Sequence, residues 1–252
     1  MSRLETLVEW LDAELRTAEI TDYPGAFNGL QLAHDGPVQR IAAAVDATLP
    51  VLEKAAALGP GTLLLVHHGM FWQPPRPWTG VLHRKLKVAL DADLAVYSSH
   101  LPLDLHPHWG NNVLLATQIG LQDLEPFLTR DGQSMGLMGR WQGSGQDLKL
   151  KLEGVLGTGV YHCAAGPERI ERVGVVTGGA GSEVAQAAAA GLDAFVTGEG
   201  PHWTHGLAEE SGIHLFYGGH YATETFGVKE LAKQISQRFG LPWQFIEHPS
   251  GL

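Results

Sequence analysis

The chain has 252 residues and a formal net charge of −10; 44% of its residues are hydrophobic and 17% are charged. This is enough apolar sequence for one large domain or two small ones, and the acidic balance argues against a nucleic-acid-binding protein, which would show a basic patch. The single cysteine, Cys163, excludes an intramolecular disulfide and a thiolate-rich metal site, and it indicates a reducing compartment.

The chain opens with an amphipathic pattern. Residues 1–16 carry leucines at helical spacing, which predicts a helix with Ser2 as its N-cap. Residues 23–31 follow as a turn-rich loop. The first residues contain no apolar core of the signal-peptide type, and no apolar run approaches about 18 residues. We therefore expect a soluble, cytoplasmic protein with no membrane partner.

Two buried-strand patterns come next, at residues 40–46 and 63–66, with a helical pattern at 51–58 between them. A strand, a helix and a strand in such close succession are typical of a βαβ unit, so we expect parallel strand pairs. The second strand is followed directly by His67 and His68. Because neighbouring side chains of an extended strand point to opposite sides, this pair suits two ions better than one.

The second half of the chain repeats this order. Residues 172–177 match 40–45, and residues 183–191 match 51–59, each 132 positions further on. Residues 194–197 then take the place of the second strand. An internal repeat of this kind predicts an α/β fold of two related domains from an internal duplication, with mixed sheets flanked by helices.

The boundary between the halves is predicted in the glycine-rich, polar stretch at 129–145, which gives domains at 1–128 and 129–226. Residues 147–161 alternate poorly, and we interpret them as strand or loop. Residues 227–252 are predicted to form a C-terminal helix and a last strand that pack on the first half. The strand would lie at a sheet edge because a proline is adjacent to it.

Each half also contains a strand pattern that leads to a histidine and an acid. Residues 94–104 (LAVYSSHLPLD) align without a gap with residues 214–224 (HLFYGGHYATE). The histidines are 120 positions apart, and so are the acids (220 − 100 and 224 − 104). The four residues are His100 and Asp104 in the first half, and His220 and Glu224 in the second. The same pair after two matching strands indicates part of a metal site in each domain.

These residues supply the ligand chemistry of a catalytic metal pair. Imidazole and carboxylate without thiolate suit zinc, iron, manganese, cobalt or nickel. The five candidate ligands are His67, His68, Asp104, His220 and Glu224. They under-fill two coordination spheres, which leaves open positions where two divalent ions can activate a water. Two such ions against two carboxylates also leave a positive site that would attract a small anionic substrate.

Several nearby residues keep alternative interpretations. His100 matches the proposed ligand His220, but Pro102 bends the chain after it, so it is a ligand, a substrate-facing group or a structural residue. Glu199 takes the place of the histidine pair in the second half, and with His100 it is a candidate catalytic residue. The loop at 178–181 is either a tight turn or an anion-binding loop. The sequence has no Gly-x-Ser-x-Gly motif, so nucleophilic covalent catalysis has no support.

Six short motifs together resemble the NIF-three-like dinuclear-metal family, whose members carry the name GTP cyclohydrolase I type 2 homologue. The motifs are NGLQ at 28–31, VHHGMFW at 66–72, SHLPLD at 99–104, GGAG at 178–181, TGE at 197–199 and GHYATE at 219–224. The resemblance implies two related α/β domains and a ring-shaped homohexamer with metal sites facing an internal cavity. The stretch at 129–166 is too short for the extra domain that some members carry.

The resemblance also implies a ligand assignment. His68 and Asp104 would hold one ion, His67 and His220 the other, and Glu224 would bridge both. The leading hypothesis is a metal-dependent hydrolase of a small phosphorylated or nucleotide-like substrate, similar to GTP cyclohydrolase I type 2. The alternative is a non-catalytic metal-binding ring that acts as a scaffold, a sensor or a partner-binding module. A ring around nucleic acid would need a locally basic cavity, which the net charge disfavours.

Overall fold

The structure is a computed structural model that describes residues 2–72 and 76–252. The chain divides into two compact units. Unit 1 comprises the residues up to Leu103 together with Gly227–His248, and unit 2 comprises Asp104–Phe226 and Pro249–Leu252.

Unit 1 contains a small antiparallel pair, β1 (Ser2–Arg3) with β3 (Pro37–Val38), and a five-stranded mixed sheet. The strands of the larger sheet are β2 (Gly29–Leu32), β4 (Arg40–Asp46), β5 (Thr62–His68), β6 (Leu94–Ser98) and β13 (Trp243–Phe245). Their spatial order is β13-β4-β5-β6-β2. All neighbours in it are parallel except β2, which runs antiparallel to β6.

The helices of unit 1 are α1 (Leu4–Glu14), α2 (Leu49–Ala56), α3 (Gly80–Asp91) and most of α10 (Thr225–Phe239). Residues 41–45 of β4 are all buried, as is typical of parallel strands whose two faces are both covered. Ser2, predicted as the N-cap of the opening helix, lies instead in β1, and Arg3 takes the N-cap position. The pairing of Ser2 with Val38 competes with the capping role. Met1, which the predicted helix included, lies outside the described residues.

Unit 2 is built on a six-stranded mixed sheet. Its strands are β7 (Gln122–Arg130), β8 (Gln133–Gly143), β9 (Tyr161–Cys163), β10 (Ile170–Val175), β11 (Ala194–Thr197) and β12 (His214–Tyr217). Their spatial order is β7-β8-β10-β11-β12-β9. The three strands β10, β11 and β12 are mutually parallel, and the others join the sheet in antiparallel pairs.

Helices cover both faces of this sheet. They are α5 (Asn111–Ile119), α6 (Gly145–Leu156), α7 (Val184–Ala189) and α8 (Thr204–Ser211), with the short helix α9 (His220–Thr223) after the end of β12. The short helix α4 (Leu101–Asp104) follows β6 and contains residues 101–103 of unit 1 and Asp104, the first residue of unit 2. Two apolar clusters take alternate residues of β11: Ala194 and Val196 belong to one, and Phe195 belongs to the other. The period-two alternation of a strand therefore places one cluster on each face.

In the middle of the chain, the structure differs from the predicted domain boundary. The glycine-rich stretch at 129–145, where the domain boundary was placed, lies in the β7–β8 hairpin of unit 2, and the chain enters unit 2 at Asp104. Asp131 and Gly132 form the hairpin turn, both with positive φ, which is a favoured use of an Asp-Gly pair.

The interpretation of 147–161 as strand or loop was wrong for most of that range, because α6 extends from Gly145 to Leu156. Ser144 and Asp147 form a reciprocal capping box at its start, and Leu148 and Leu152 lie fully buried one turn apart. The remainder of the range leads into β9, at the sheet edge.

The predicted fold class is confirmed: the structure is α/β, with two mixed sheets flanked by helices. Each sheet contains three parallel strands in chain order with a helix in each connection, β4-α2-β5-α3-β6 in unit 1 and β10-α7-β11-α8-β12 in unit 2. This is the arrangement that an internal duplication predicts. Strand β13 lies at the edge of the unit 1 sheet, as expected from its neighbouring proline. Within residues 2–72 and 76–252, none of the helices combines the length and the apolar character that a membrane crossing requires.

Candidate metal centre

The candidate ligands in unit 1 follow two neighbouring parallel strands. His67 and His68 are the last two residues of β5, and His100 comes two residues after the end of β6. Because β5 and β6 are parallel, their carboxyl ends lie at the same edge of the sheet, which is where open α/β sheets place their functional residues.

The three imidazoles of unit 1 converge. The ring centroids of His67 and His68 are 4.8 Å apart, and those of His67 and His100 are 4.9 Å apart. One ring nitrogen from each of the three histidines lies within 4.8 Å of the others, so the group has the donor types and spacing for a metal ion. The rings of His67 and His68 are thus closer together than expected of neighbours in an extended strand, although His68 is still paired with Asp46 of β4.

Each of these histidines is held at its Nδ1 atom by an oxygen acceptor. Nδ1 of His67 lies 2.9 Å from the carbonyl oxygen of Ser99, and Nδ1 of His68 lies 2.8 Å from Oδ1 of Asp46. Nδ1 of His100 lies 2.8 Å from Oδ1 of Asp22. A proton donated from Nδ1 to such an acceptor puts the lone pair of a neutral imidazole on Nε2, which is how metal-binding histidines are usually oriented.

Asp22 is a site residue that sequence reasoning missed. Its side chain is only 6% exposed, and besides His100 it accepts hydrogen bonds from the Asn28 amide and the Leu101 backbone N–H. Burial alone would raise the pKa of the Asp22 carboxyl, but these hydrogen bonds and the His100 ring outweigh it and lower that pKa. Asp22 lies in a turn-rich loop without periodicity, 78 positions before His100, so nothing local in the sequence linked the two.

The NGLQ motif is joined by hydrogen bonds to two other motifs, SHLPLD through Asn28 and VHHGMFW through Gln31. Oδ1 of Asn28 accepts from the backbone N–H of His100 at 2.7 Å, and Oε1 of Gln31 accepts from the backbone N–H of Met70 at 2.7 Å. A Cβ at Gly69 would lie closer than 3.0 Å to the Gln31 side chain. A glycine directly after the histidine pair is therefore required for Gln31 to hold the segment that follows β5.

Aromatic side chains surround the imidazoles. The Trp72 ring lies 4.7 Å from the His100 ring and 5.6 Å from the His68 ring, centroid to centroid and edge-on in both cases. Tyr23 lies 5.9 Å from His100 and is 42% exposed. The site in unit 1 is thus bounded by apolar ring surface, which strengthens the electrostatic interactions inside it.

In unit 2, the candidate ligands lie after the end of β12 and at the end of the short helix α4. His220 opens α9, and Glu224 follows it by one helical turn. Nε2 of His220 is 3.1 Å from Oε1 of Glu224, and Nδ1 of His220 is 2.8 Å from Oε1 of Glu199. Glu224 is 2% exposed. Glu199 therefore has the same relation to His220 as Asp22 has to His100 in unit 1.

Asp104 lies near this pair. It is 8% exposed, and its Oδ1 accepts a hydrogen bond from the buried Asn111 amide at 2.7 Å. A carboxylate oxygen of Asp104 lies within 4.8 Å of one of Glu224. Two buried carboxylates at this distance repel each other, and a cation between them would remove the repulsion.

His220 titrates under the influence of the carboxylates around it. Burial would lower the pKa of the imidazole, but the hydrogen bonds to Glu224 and Glu199 outweigh this effect and raise the pKa to about 9. In the absence of a metal, His220 therefore carries the positive charge next to Glu224. An ion that took the place of this proton would use the same nitrogen and the same carboxylate.

The glycine motifs of unit 2 make room for these ligands. Gly178 has φ of +73°, and a Cβ there would lie closer than 3.0 Å to Oε1 of Glu224. A Cβ at Gly198 would lie equally close to the His220 Cα atom. Oγ1 of Thr223 accepts a hydrogen bond from the backbone N–H of Gly178 at 3.1 Å. The 178–181 loop, interpreted from sequence as a turn or an anion-binding loop, thus packs against both ligands.

Two other histidines near the motif in unit 2 have different surroundings. His205 bonds to the Tyr161 hydroxyl and lies 3.4 Å from Glu209, and His202 is exposed. Among the described residues, the imidazoles of His67, His68 and His100 in unit 1 form a group that could hold a metal ion, and in unit 2 Glu224 lies within 4.8 Å of Asp104 and 3.1 Å from His220.

Comparison with known proteins gives the same picture of the fold along the whole chain. The family model described as Duf34/NIF3 (NGG1p interacting factor 3) matches residues 3–250. A Deinococcus radiodurans protein named GTP cyclohydrolase 1 type 2 homolog is 41% identical, over 98% of this chain and 94% of that protein. The Pseudomonas aeruginosa protein of the same name is 39% identical, over 98% of both chains.

Two solved structures are similar throughout. Protein ybgI, described as being of unknown function, superposes with a TM-score of 0.92 at 35% identity and full coverage of both chains. TTHA1606 from Thermus thermophilus gives a TM-score of 0.87 at 36% identity, over 98% of this chain and 99% of that one. With a family model over nearly every residue and close relatives over both units, the chain belongs to the Duf34/NIF3 family.

Proposed function

We propose that the protein is a metal-dependent hydrolase that binds two divalent ions and acts on a small phosphorylated or nucleotide-like substrate. The observation that carries this proposal is the pair of buried carboxylates, Asp104 and Glu224, within 4.8 Å of each other and with His220 bonded to the second. Carboxylate and imidazole donors of this kind suit a hydrolytic metal ion, which would take the place of the proton that His220 shares with Glu224.

The ligand assignment follows the family resemblance. His68 and Asp104 would hold one ion, His67 and His220 would hold the other, and Glu224 would bridge both. In support of this assignment, the Nδ1 atoms of His67, His68 and His220 all face an oxygen acceptor, which favours Nε2 as the metal-binding atom. In His220 the ion would replace the proton that Nε2 shares with Glu224. The ions are expected among zinc, iron, manganese, cobalt and nickel.

The ions, when bound, supply a water of lowered pKa and polarise an oxygen of the substrate. Side chains of the protein would position the ligands and exchange protons with the substrate. Glu199 holds His220 from outside, and its side chain is 45% exposed, so we propose that it also exchanges protons with the substrate. His100, next to the His67 and His68 rings, would contact the reacting groups. These two residues are the proposed catalytic pair.

The substrate class follows from charge. Two divalent ions against the two carboxylates leave the centre positive, which favours a phosphate or another small anion in a protein of net charge −10. The name of the relatives makes GTP the first compound to test. By the same resemblance we propose a homohexamer, and the single cysteine supports our proposal of a reducing, cytoplasmic location.

The test begins with metal content. Elemental analysis of protein purified without chelator should give about two ions per chain. Glu224→Ala should lose both ions, because a bridging carboxylate serves two ions, whereas Asp104→Ala should lose mainly one. Asp91→Ala, which removes an exposed carboxylate paired with Lys87, is the matched control and should keep both.

Turnover of GTP and of a chromogenic phosphodiester should then depend on the ions and disappear in Glu224→Ala. A wild-type protein that holds both ions but has no more turnover than the ligand variants would favour the alternative of a metal-binding scaffold or sensor. Wild-type protein that holds no metal and cannot be reloaded would refute both.

A further inference from the structure

We propose that Asp22 is a positioning residue that fixes His100 in one tautomer and one orientation, so that its Nε2 lone pair accepts a hydrogen bond from the water that attacks the substrate. This deepens the proposed function and rests on it. The proposal assigns a role to a buried carboxylate that is outside the five proposed ligands, and it separates His100 from those ligands.

The hydrogen bonds of Asp22 determine the tautomer. Its Oδ1 accepts from Nδ1 of His100 at 2.8 Å and from the backbone N–H of Tyr23 at 2.6 Å. Its Oδ2 accepts from the Asn28 amide at 2.8 Å and from the backbone N–H of Leu101 at 2.9 Å. With donors on both oxygens, the carboxylate has no role as a donor. The proton in the His100 contact therefore belongs to Nδ1, and Nε2 of the neutral ring carries the lone pair.

The same hydrogen bonds fix the backbone on which the ring is mounted. Asn28 donates to Asp22 and accepts from the backbone N–H of His100 at 2.7 Å, and Asp22 accepts from the next backbone N–H, that of Leu101. The Trp72 ring meets the imidazole edge-on at 4.7 Å. His100 is 9% exposed. The ring is therefore restrained at its nitrogen, at its own backbone and on its face.

This arrangement places the lone pair of His100 near the histidines of β5. One ring nitrogen of His100 lies within 4.8 Å of one on His67 and one on His68. The Nδ1 atom of each of the three rings contacts an oxygen acceptor, so the lone pair of each neutral ring is on Nε2. A water held beside His67 and His68 would then have the lone pair of His100 as an acceptor close by.

The first test measures the tautomer directly. In metal-free full-length protein with ¹⁵N-labelled histidine, two-bond ¹H–¹⁵N spectra distinguish a protonated Nδ1 from a protonated Nε2, and His100→Gln assigns the signals. We expect the wild type to show the proton of His100 on Nδ1. A wild-type spectrum with the proton on Nε2 would overturn the proposal, and this result needs neither a variant nor a substrate.

The second test uses Asp22→Asn. Asparagine offers a single acceptor oxygen to the four donors around it, so we expect the His100 signals to shift to a mixture of tautomers. Asp12→Asn is the matched control, because Asp12 is also a carboxylate of unit 1 that accepts a hydrogen bond, from the Tyr97 hydroxyl at 2.7 Å. The control should leave the His100 signals unchanged. An equal change in both variants would reduce Asp22 to a structural role.

The third test separates positioning from metal binding. With zinc-loaded protein and bis(4-nitrophenyl) phosphate as the probe, Asp22→Asn should lower kcat about 10–100-fold, with KM and zinc content unchanged. A loss of zinc as large as that of Asp104→Ala would make His100 a ligand and overturn the proposal. Absence of metal or turnover in the wild type would instead refute the proposed hydrolase. The tautomer experiment would still decide whether Asp22 positions His100, because it uses metal-free protein without substrate.

Discussion

Replacement of Gly178 by alanine tests whether the glycine loop is built around Glu224. Two costs are expected. A residue with a Cβ at φ of +73° loses roughly 1–2 kcal/mol in the left-handed region, part of which is offset by the lower entropy of the unfolded chain. In addition, the new Cβ would lie closer than 3.0 Å to Oε1 of Glu224, and overpacking of this kind costs about 1–3 kcal/mol.

Gly157→Ala is the matched control. Gly157 also lies in unit 2, has φ of +68°, and has no atom within 4 Å of the position its Cβ would take. It therefore shares the backbone cost of Gly178 and lacks the clash. Thermal unfolding followed by circular dichroism should show a larger loss for Gly178→Ala by about 1–3 kcal/mol, and each kcal/mol corresponds to about 2–4 °C in Tm for a chain of this size.

Metal content measured on the same two variants extends this test to function. The clash is with the proposed bridging ligand, so Gly178→Ala should retain fewer ions than Gly157→Ala. Equal destabilisation of the two variants would show that Glu224 does not depend on the space at Gly178. Equal metal content would show that the loop and the ligand are not coupled, and our account of the GGAG motif would then be wrong.

Three further predictions concern unit 2. Burial, together with the charges of His214 and Lys149, lowers the pKa of His162 from 6.5 to about 4. The unfolded chain therefore binds this proton more tightly than the folded chain, and stability should fall as the pH drops from 6.5 to about 4. His162→Gln should reduce the decrease in Tm over this pH range. Ser144→Ala removes half of the capping box of α6 and should cost about 1 kcal/mol in urea unfolding. Phe195→Ala, at a fully buried position, should cost about 3–5 kcal/mol; the exposed Leu150→Ala, by contrast, should change stability by at most about 0.5 kcal/mol.

The parts of the fold that sequence reasoning reached are those whose signal is local. The buried strands at 40–46 and 194–197 are continuous apolar runs, and both lie where they were predicted. The hairpin of β7 and β8 and the strand β9 have no counterpart in the repeat, and they were missed. Most of their residues are exposed or half-buried, without a regular alternation of buried and exposed positions, which leaves little periodic signal. Helix α6 was missed because glycines flank its capping box.

The residues of the candidate site also differ in how much of their role the sequence reveals. The histidines and acids after matching strands could be identified because the repeat marks them twice. The carboxylates that accept hydrogen bonds from these histidines differ in how their position is determined. Asp46 is in register with His68 on the neighbouring strand, so the sheet alone brings the two together. Asp22 reaches His100 from a loop, and only the folded chain shows that contact.

The repeat also shows how the candidate ligands of the two units come to differ. At the offset of 132 positions, the counterpart of Asp46 is Gly178. In unit 1 the carboxylate at this position orients His68, whereas in unit 2 the absence of a side chain admits Glu224 next to His220. An aspartate at position 178 would compete with Glu224 for the same space and add a like charge to it. One position of the repeat thus supplies an orienting group in one unit and space for a proposed ligand in the other, so a duplicated fold can carry two chemically different sets of candidate ligands.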